Sequence, residues 1–368
     1  MARSNLALFS LVLFSLALAG CPSSTTPGSD VPIERLGAQY GNVTCEVIRD
    51  CYGDAIVALI SGATTQAACE MRAEAGYLNA ALPRYQAAIA MGTMSYDATQ
   101  AGACIDALRA EGCAVVSART PPECDRLFVG HVATGGACAL DEECQGDAYC
   151  SITAACPGTC QAYGGPGAAC TRDQACQSGL RCGNGTCQAP GGVGASCQGT
   201  TGVECAGGLI CQGGSTTRTG TCASVDAVFV GTMGAACNPQ NGQLCMDGLS
   251  CIVASATSQT CGTGGLSVGT ACTLALPDQC APGSYCEGPS LTALPPVFTG
   301  TCRALPIDGM PCATVVAGQS CADGAVCGAS DRACHQVHAN GGSCIDDSGC
   351  YSGLCRSGTC AVPTYCPS

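Results

Sequence analysis

Sulfur is the reactive element of this chain: 37 of its 368 residues are cysteine. A cysteine can close a disulfide, ligate a metal, attack as a nucleophile or carry a lipid, and spacing separates these fates. Zinc and redox sites favour C-x-x-C; the closest spacing here is Cys156 to Cys160. The sulfurs instead fall into a repeat. The unit is G-x-x-C, a second cysteine five to eight residues on, a third usually five later, and a fourth that usually follows Gly-Thr. Seven glycines lead it: Gly135, Gly167, Gly194, Gly234, Gly269, Gly309 and Gly341. The first cysteines are Cys138, Cys170, Cys197, Cys237, Cys272, Cys312 and Cys344. The second are Cys144, Cys176, Cys205, Cys245, Cys280, Cys321 and Cys350. The third are Cys150, Cys182, Cys211, Cys251, Cys286, Cys327 and Cys355. The fourth are Cys160, Cys187, Cys222, Cys261, Cys302, Cys334 and Cys360.

A unit of about 30 residues cannot bury enough apolar surface to fold alone; below ~40 residues a staple is usually required. A bridge closing a short loop contributes roughly 2–3 kcal/mol by restricting the unfolded chain. Two bridges and a short hairpin per unit therefore tip the balance. Four cysteines allow three pairings, of which first-to-third with second-to-fourth is favoured. The glycine of C-x-x-G-x-x-C (Gly179, Gly208, Gly248, Gly283, Gly324) suits a turn at positive φ. Cys156 and Cys366 lie outside the pattern; they pair with each other or reshuffle a neighbour's bridges.

Three units read C-x-x-D-x-x-C, with Asp141, Asp173 and Asp347. The first, CALDEECQGDAYC, adds Glu143 and Tyr149, and resembles the start of the N-terminal cysteine-rich domain of Dickkopf proteins. It resembles whey-acidic-protein modules more loosely. Over these thirteen or so residues the likeness implies a similar disulfide knuckle.

Other constellations give weaker chemistry. CHQVH groups Cys334, His335 and His338 as metal ligands, unless Cys334 closes its repeat. The three aspartates supply one carboxylate per unit, short of the 6–8 oxygens calcium takes; each is expected to accept backbone N–H bonds in its own turn. GLSVG matches a nucleophile elbow at Ser267, but Gly269 is the leading glycine of the fifth unit and no strand–turn–helix context surrounds it. No lysine exists to build a P-loop or a Schiff base. Asn42 and Asn184 stand in N-x-T strings, the acceptor pattern for N-glycosylation, and are expected to be unmodified.

Ahead of the repeats, residues 38–130 hold Cys45, Cys51, Cys69, Cys104, Cys113 and Cys124 on a helical pattern. Val43, Val47, Cys51, Ala55 and Leu59 make one stripe. Ala68, Met71, Ala75, Leu78 and Leu82 make a second, ended by Pro83. Tyr85 and Ile89 mark a third helix, and Ala101, Cys104, Ile105 and Leu108 a fourth stopped by Gly112. TPPEC begins a last short helix, with Thr120 as cap, Pro121 in the first turn and Glu123 completing a capping box. The expectation is a bundle of about four helices tied by up to three disulfides, with a core of Ala, Leu, Ile and cystine. The fold class is thus a small all-α bundle followed by an elongated array, residues 131–368, of disulfide-rich β-hairpin knuckles.

At the front, Arg3 is followed by an apolar stretch, Leu6 to Ala19, broken only by Ser10 and Ser15. It is too short for a bilayer, which takes ~20 apolar residues, and suits a secretory leader over residues 1–20. Leu18-Ala19-Gly20-Cys21 resembles a bacterial lipobox. The resemblance implies cleavage between Gly20 and Cys21, a diacylglyceryl thioether and a further acyl group (palmitate class) on Cys21, and, with Pro22 following, the outer membrane or cell surface. That covalent lipid is the one cofactor expected, and the membrane one partner. Residues 22–37, rich in Pro, Ser, Thr and Gly, read as a tether of roughly 50 Å at ~3.3 Å per residue. With Cys21 lipidated, 36 cysteines remain, an even number, in the kind of compartment where disulfides persist. The layout resembles cysteine-rich repeat lipoproteins of predatory Gram-negative soil bacteria.

Composition excludes much else. Net charge is −13, all basic residues are Arg and scattered, so nucleic acid finds no footprint. Trp is absent and only 4% of residues are aromatic, so no large aromatic core is expected. These readings converge on a non-enzymatic surface lipoprotein that presents a stapled array for recognition of a protein or glycan, adhesion or envelope structure. Alternatives are a hydrolase inhibitor displaying the loop EGPSLTALPPVFTGT between Cys286 and Cys302, and thiol metal binding.

Overall fold

The computed structural model describes residues 30–366 except 54–56, 58–60, 113–120, 153–155, 178, 198–202, 207–208, 216–217, 225–226, 228, 247, 256–257, 277, 291–292, 294 and 314–319. The leader, Gly20, Cys21 and Cys113 lie outside the described residues. A helical region is followed by many small two- and three-stranded sheets, nearly all antiparallel, stapled by disulfides. Contacts divide the chain into two compact units. One takes residues up to Tyr40, 77–225 and from Val362 on; the other takes 41–76 and 226–361.

Helix α1 (Ile33–Tyr52) begins ten residues before the first apolar stripe, so residues 33–37 are helical and not tether. Helix α2 (Gln66–Gly76) runs on through a π turn, Tyr77–Ala81, into α3 (Leu82–Ala90). Pro83 therefore does not end the second helix. It sits at the second position of α3, directly behind the π turn, where the helix already departs from regular α bonding. The second and third expected helices are thus one continuous rod. Helix α4 (Ala98–Glu111) is capped by Asp97, which accepts from Thr99 and Gln100 N–H at 3.0 Å, and ends at Gly112 with φ 53°. The TPPEC segment gives only a 3-10 turn, Cys124–Arg126, and Glu123 makes no capping bond.

The core of the first unit is aromatic, contrary to the composition argument. Phe128 meets Tyr85 at 4.5 Å and Tyr96 at 5.4 Å between ring centroids, and Tyr77 lies 6.3 Å from Tyr85. Met94 and Leu140 close this cluster. Strand β1 (Met94–Tyr96) pairs antiparallel with β2 (Phe128–Gly130), which brings these rings together. In the second unit, Cys45–Cys69 joins α1 to α2, and Gly41 leaves no room for a Cβ against Ala73. Asp323 accepts Thr64 N–H at 2.8 Å and the Thr64 hydroxyl, holding the start of α2 against the sixth repeat.

All seven repeats, modules 1–7, share one backbone circuit. The leading glycine donates its N–H to the carbonyl of the fourth cysteine at 2.7–2.8 Å in every copy. The fourth cysteine returns its N–H to the residue after that glycine at 2.8–2.9 Å. Each leading glycine has φ between 77° and 89° and sits third in a tight turn whose fourth N–H closes on the first carbonyl. That is the type II position that demands positive φ. Third and fourth cysteines face each other across the hairpin in every module, and each is bridged to another cysteine of the module rather than to the one it faces.

An alanine Cβ at Gly194 would meet nothing within 4 Å, so its cost there is purely conformational, about 1–2 kcal/mol. Gly194→Ala should speed hydrogen exchange of the Cys222 amide by ~5- to 30-fold. Gly76, helical and equally open, is the control: Gly76→Ala should leave that amide unchanged and raise the denaturant midpoint.

Candidate functional site

The sulfur network is the densest chemical feature. In each module the first cysteine bonds the third and the second bonds the fourth, from Cys138–Cys150 and Cys144–Cys160 to Cys344–Cys355 and Cys350–Cys360. Cys156 pairs with Cys366 across 210 residues, and Cys104 with Cys124. Cys51 is also bridged. Two bridges side by side bring three sulfurs of a module within 4.8 Å. That proximity resembles a thiolate metal cluster, but every described cysteine is oxidised, and a disulfide sulfur lacks the thiolate charge that binds metal.

The aspartates are equally engaged. Asp141, Asp173 and Asp347 accept the N–H of the third cysteine, Cys150, Cys182 and Cys355, at 2.8, 2.5 and 2.6 Å. The bond crosses the module to a residue eight or nine positions on; a local Asx-turn would reach only two. Asp278 does the same for Cys286 at 3.1 Å. Sequence reading passed over Asp278 because it sits two residues, not three, before the second cysteine; a carboxylate close ahead of that cysteine was the usable signal. In the first unit the modules are also tied to one another. Arg172 of module 2 bonds Asp141 at 2.7 Å and the Cys150 carbonyl at 2.6 Å, and lies 5.3 Å over the Tyr149 ring. Arg181 meets Glu204 of module 3 at 3.3 Å.

Residues 137–188 match the Dickkopf N-terminal cysteine-rich region family. No curated protein and no solved structure matches the chain. The Dickkopf-like match takes in all eight cysteines of modules 1 and 2, beginning just after the leading Gly135, and includes the Arg172–Asp141 junction.

The Dickkopf-like pair contains a fully buried acid. Glu143 accepts the N–H groups of Ala139 and Leu140 at 2.7 and 2.8 Å and the hydroxyl of Tyr365. Tyr365 neighbours Cys366, so the Cys156–Cys366 bridge and this bond hold the same segment. Beside it Tyr85 donates to Glu142 at 3.2 Å, and burial pushes both groups up.

The remaining motifs resolve into structure. Cys334 is bonded to Cys321, and His335 turns onto Asp331 at 2.7 Å, so CHQVH is not assembled as a ligand set. Ser267 opens the tight turn of Gly269, and a strand, Ala271–Thr273, follows in place of a helix. Asn42 donates to Glu70 at 3.2 Å; Asn184 is exposed at a hairpin tip with φ 52°. In the Cys286–Cys302 loop, Ser290 and Val297 exchange both backbone bonds, at 2.7 and 2.9 Å.

Asp173→Ala should leave the Cys182 amide without an acceptor, at a cost of about 1–3 kcal/mol, read as faster exchange of that amide. A second expectation concerns Glu111, which burial, with Glu123 adding, pushes up to about 7. A raised carboxyl holds its proton in the folded state after the unfolded chain has lost it, so stability is greatest below the ordinary carboxylate range and falls as pH rises to about 7. Denaturant midpoints of Glu111→Gln should lose that slope between roughly pH 4.5 and 7; an unchanged slope would place its origin elsewhere.

Proposed function

We propose that this protein is a non-enzymatic surface lipoprotein whose disulfide modules form a rigid display for recognition of a protein or glycan. The observation that carries the reading is the sulfur accounting. Every described cysteine is bridged, and reserving Cys21 leaves an even set. Disulfides at this density belong to an exported protein in an oxidising compartment. No helix among the described residues is long and apolar enough to cross a membrane, so the proposed attachment is lipid on Cys21, followed by a tether shortened by the start of α1. Multiple acyl chains hold stably where one is marginal. The modules suit display, because rigid loops lose little entropy on binding, and Asp141, Asp173, Asp278 and Asp347 are each spent on a backbone bond that holds the module.

Intact mass of the native protein before and after reduction and alkylation tests both halves. Expected are an acyl increment on a chain beginning at Cys21, and alkylation of the other 36 cysteines only after reduction. Cys21→Ser should abolish fatty-acid labelling and leave the bridges intact. Several thiols reactive before reduction would refute the disulfide scaffold; an unacylated native chain would refute the anchor alone.

A further inference from the structure

In the first unit, an open cleft of about 270 Å³ lies between α1 and α4. By volume it has room for about nine waters. Val31, Gly102 and Ile105, all buried, form an apolar floor, with Pro32 beside them. Arg35 and Gln39 rise from α1 one turn apart, which places both on one face, and Arg109 faces in from α4.

The balance of donors and acceptors in this cleft is uneven. Asp30 already accepts the Thr99 hydroxyl at 2.7 Å. Asp106 faces Arg109 at 3.4 Å, a loose pair on one helix. Arg35 and Gln39 make no side-chain hydrogen bond with other described residues. A guanidinium and an amide stand ready at one wall, a second guanidinium is only partly engaged opposite, and hydrocarbon lies beneath. We propose that the cleft binds a small aliphatic carboxylate. Its oxygens take Arg35 in the two-point geometry that guanidinium favours, Gln39 and Arg109 complete the head site, and the alkyl chain covers Val31 and Ile105. Phosphate would satisfy the arginines but leave the floor wet, so the hydrocarbon decides the class. A chain of net charge −13 repels anions at a distance, and direct contact must supply the affinity. The proposal is independent of the lipid anchor.

The test uses the full chain with its bridges intact, titrated with sodium hexanoate while arginine side-chain N–H signals are followed by NMR. Hexanoate should shift Arg35 and Arg109 saturably, whereas neutral hexanamide should not. Arg35→Gln should weaken binding by ~10-fold or more, Gln39→Ala by less, and Arg35→Lys should fall between native and Arg35→Gln. Arg35 is exposed, so the native spectrum elsewhere reports that the variants fold. Uniform, unsaturating shifts of all arginines, equal binding of hexanamide, or full affinity in Arg35→Gln would overturn the proposal. Phosphate binding as tightly as hexanoate would overturn the apolar part and leave a plain anion site.

Discussion

A module of this protein has almost nothing but cystine to put in its middle. The central buried cluster of module 1 is Cys138, Cys144, Cys150, Cys160 and Ala148, with Val132 packed against it. Modules 4 and 5 repeat this with four cysteines each and one leucine, Leu249 or Leu266. Two bridges closing loops of 10–22 residues each restrict the unfolded chain by about 3 kcal/mol in the loop-entropy picture. The covalent link thus takes the place of the hydrophobic core that a unit of this size lacks. The rest of the module follows. With the core reduced to sulfur, the backbone must satisfy itself, and the Gly N–H to fourth-cysteine carbonyl bond with its return partner does so in every copy.

This dependence explains what was legible in the sequence. The spacing of cysteines and glycines marks the modules directly, because each marked residue carries a covalent or conformational duty that no other residue performs. Gly269 is an example: its φ of 88° is required by the turn, so a chance match to a nucleophile elbow had a structural explanation from the start. The helical region was harder. Its stripes gave the helices but not their limits, since a Pro that would end a regular helix lies here just behind a π turn within a continuous rod. The aromatic cluster was invisible to composition. Tyr77, Tyr85, Tyr96 and Phe128 are few, but β1–β2 pairing and the turn into α3 gather them.

The proposed head site was illegible for a different reason. Arg35 and Arg109 are 74 residues apart, on helices whose stripes fix only their buried faces. What sets the two arginines around one cleft is the packing of α1 on α4, through Leu36 and Ala101, with Val31 just ahead of α1 in the same cluster. Sequence periodicity says which face is inward; it does not say which polar residues flank the seam between two inward faces.

One position shows how the same knuckle is adapted to different neighbours. Where a 3-10 turn ends directly at a second cysteine, it is entered through an extended residue: Leu140 in module 1, Arg172 in module 2, Asp346 in module 7. The backbone there is nearly constant, so the side chain is free to be chosen for what precedes it. Module 1 follows the helices, and Leu140 is buried among Tyr85 and Met94. Module 2 follows module 1, and Arg172 bonds its carboxylate, its carbonyl and its tyrosine face. In module 7, Asp346 turns inward and accepts Ser348 N–H at 3.0 Å. An apolar, a cationic and an anionic residue thus occupy one site with one backbone, and the difference lies in the surface against which each module was built. A repeat held by sulfur tolerates such exchange because its stability does not rest on the residue exchanged, so docking can vary from copy to copy while the fold does not.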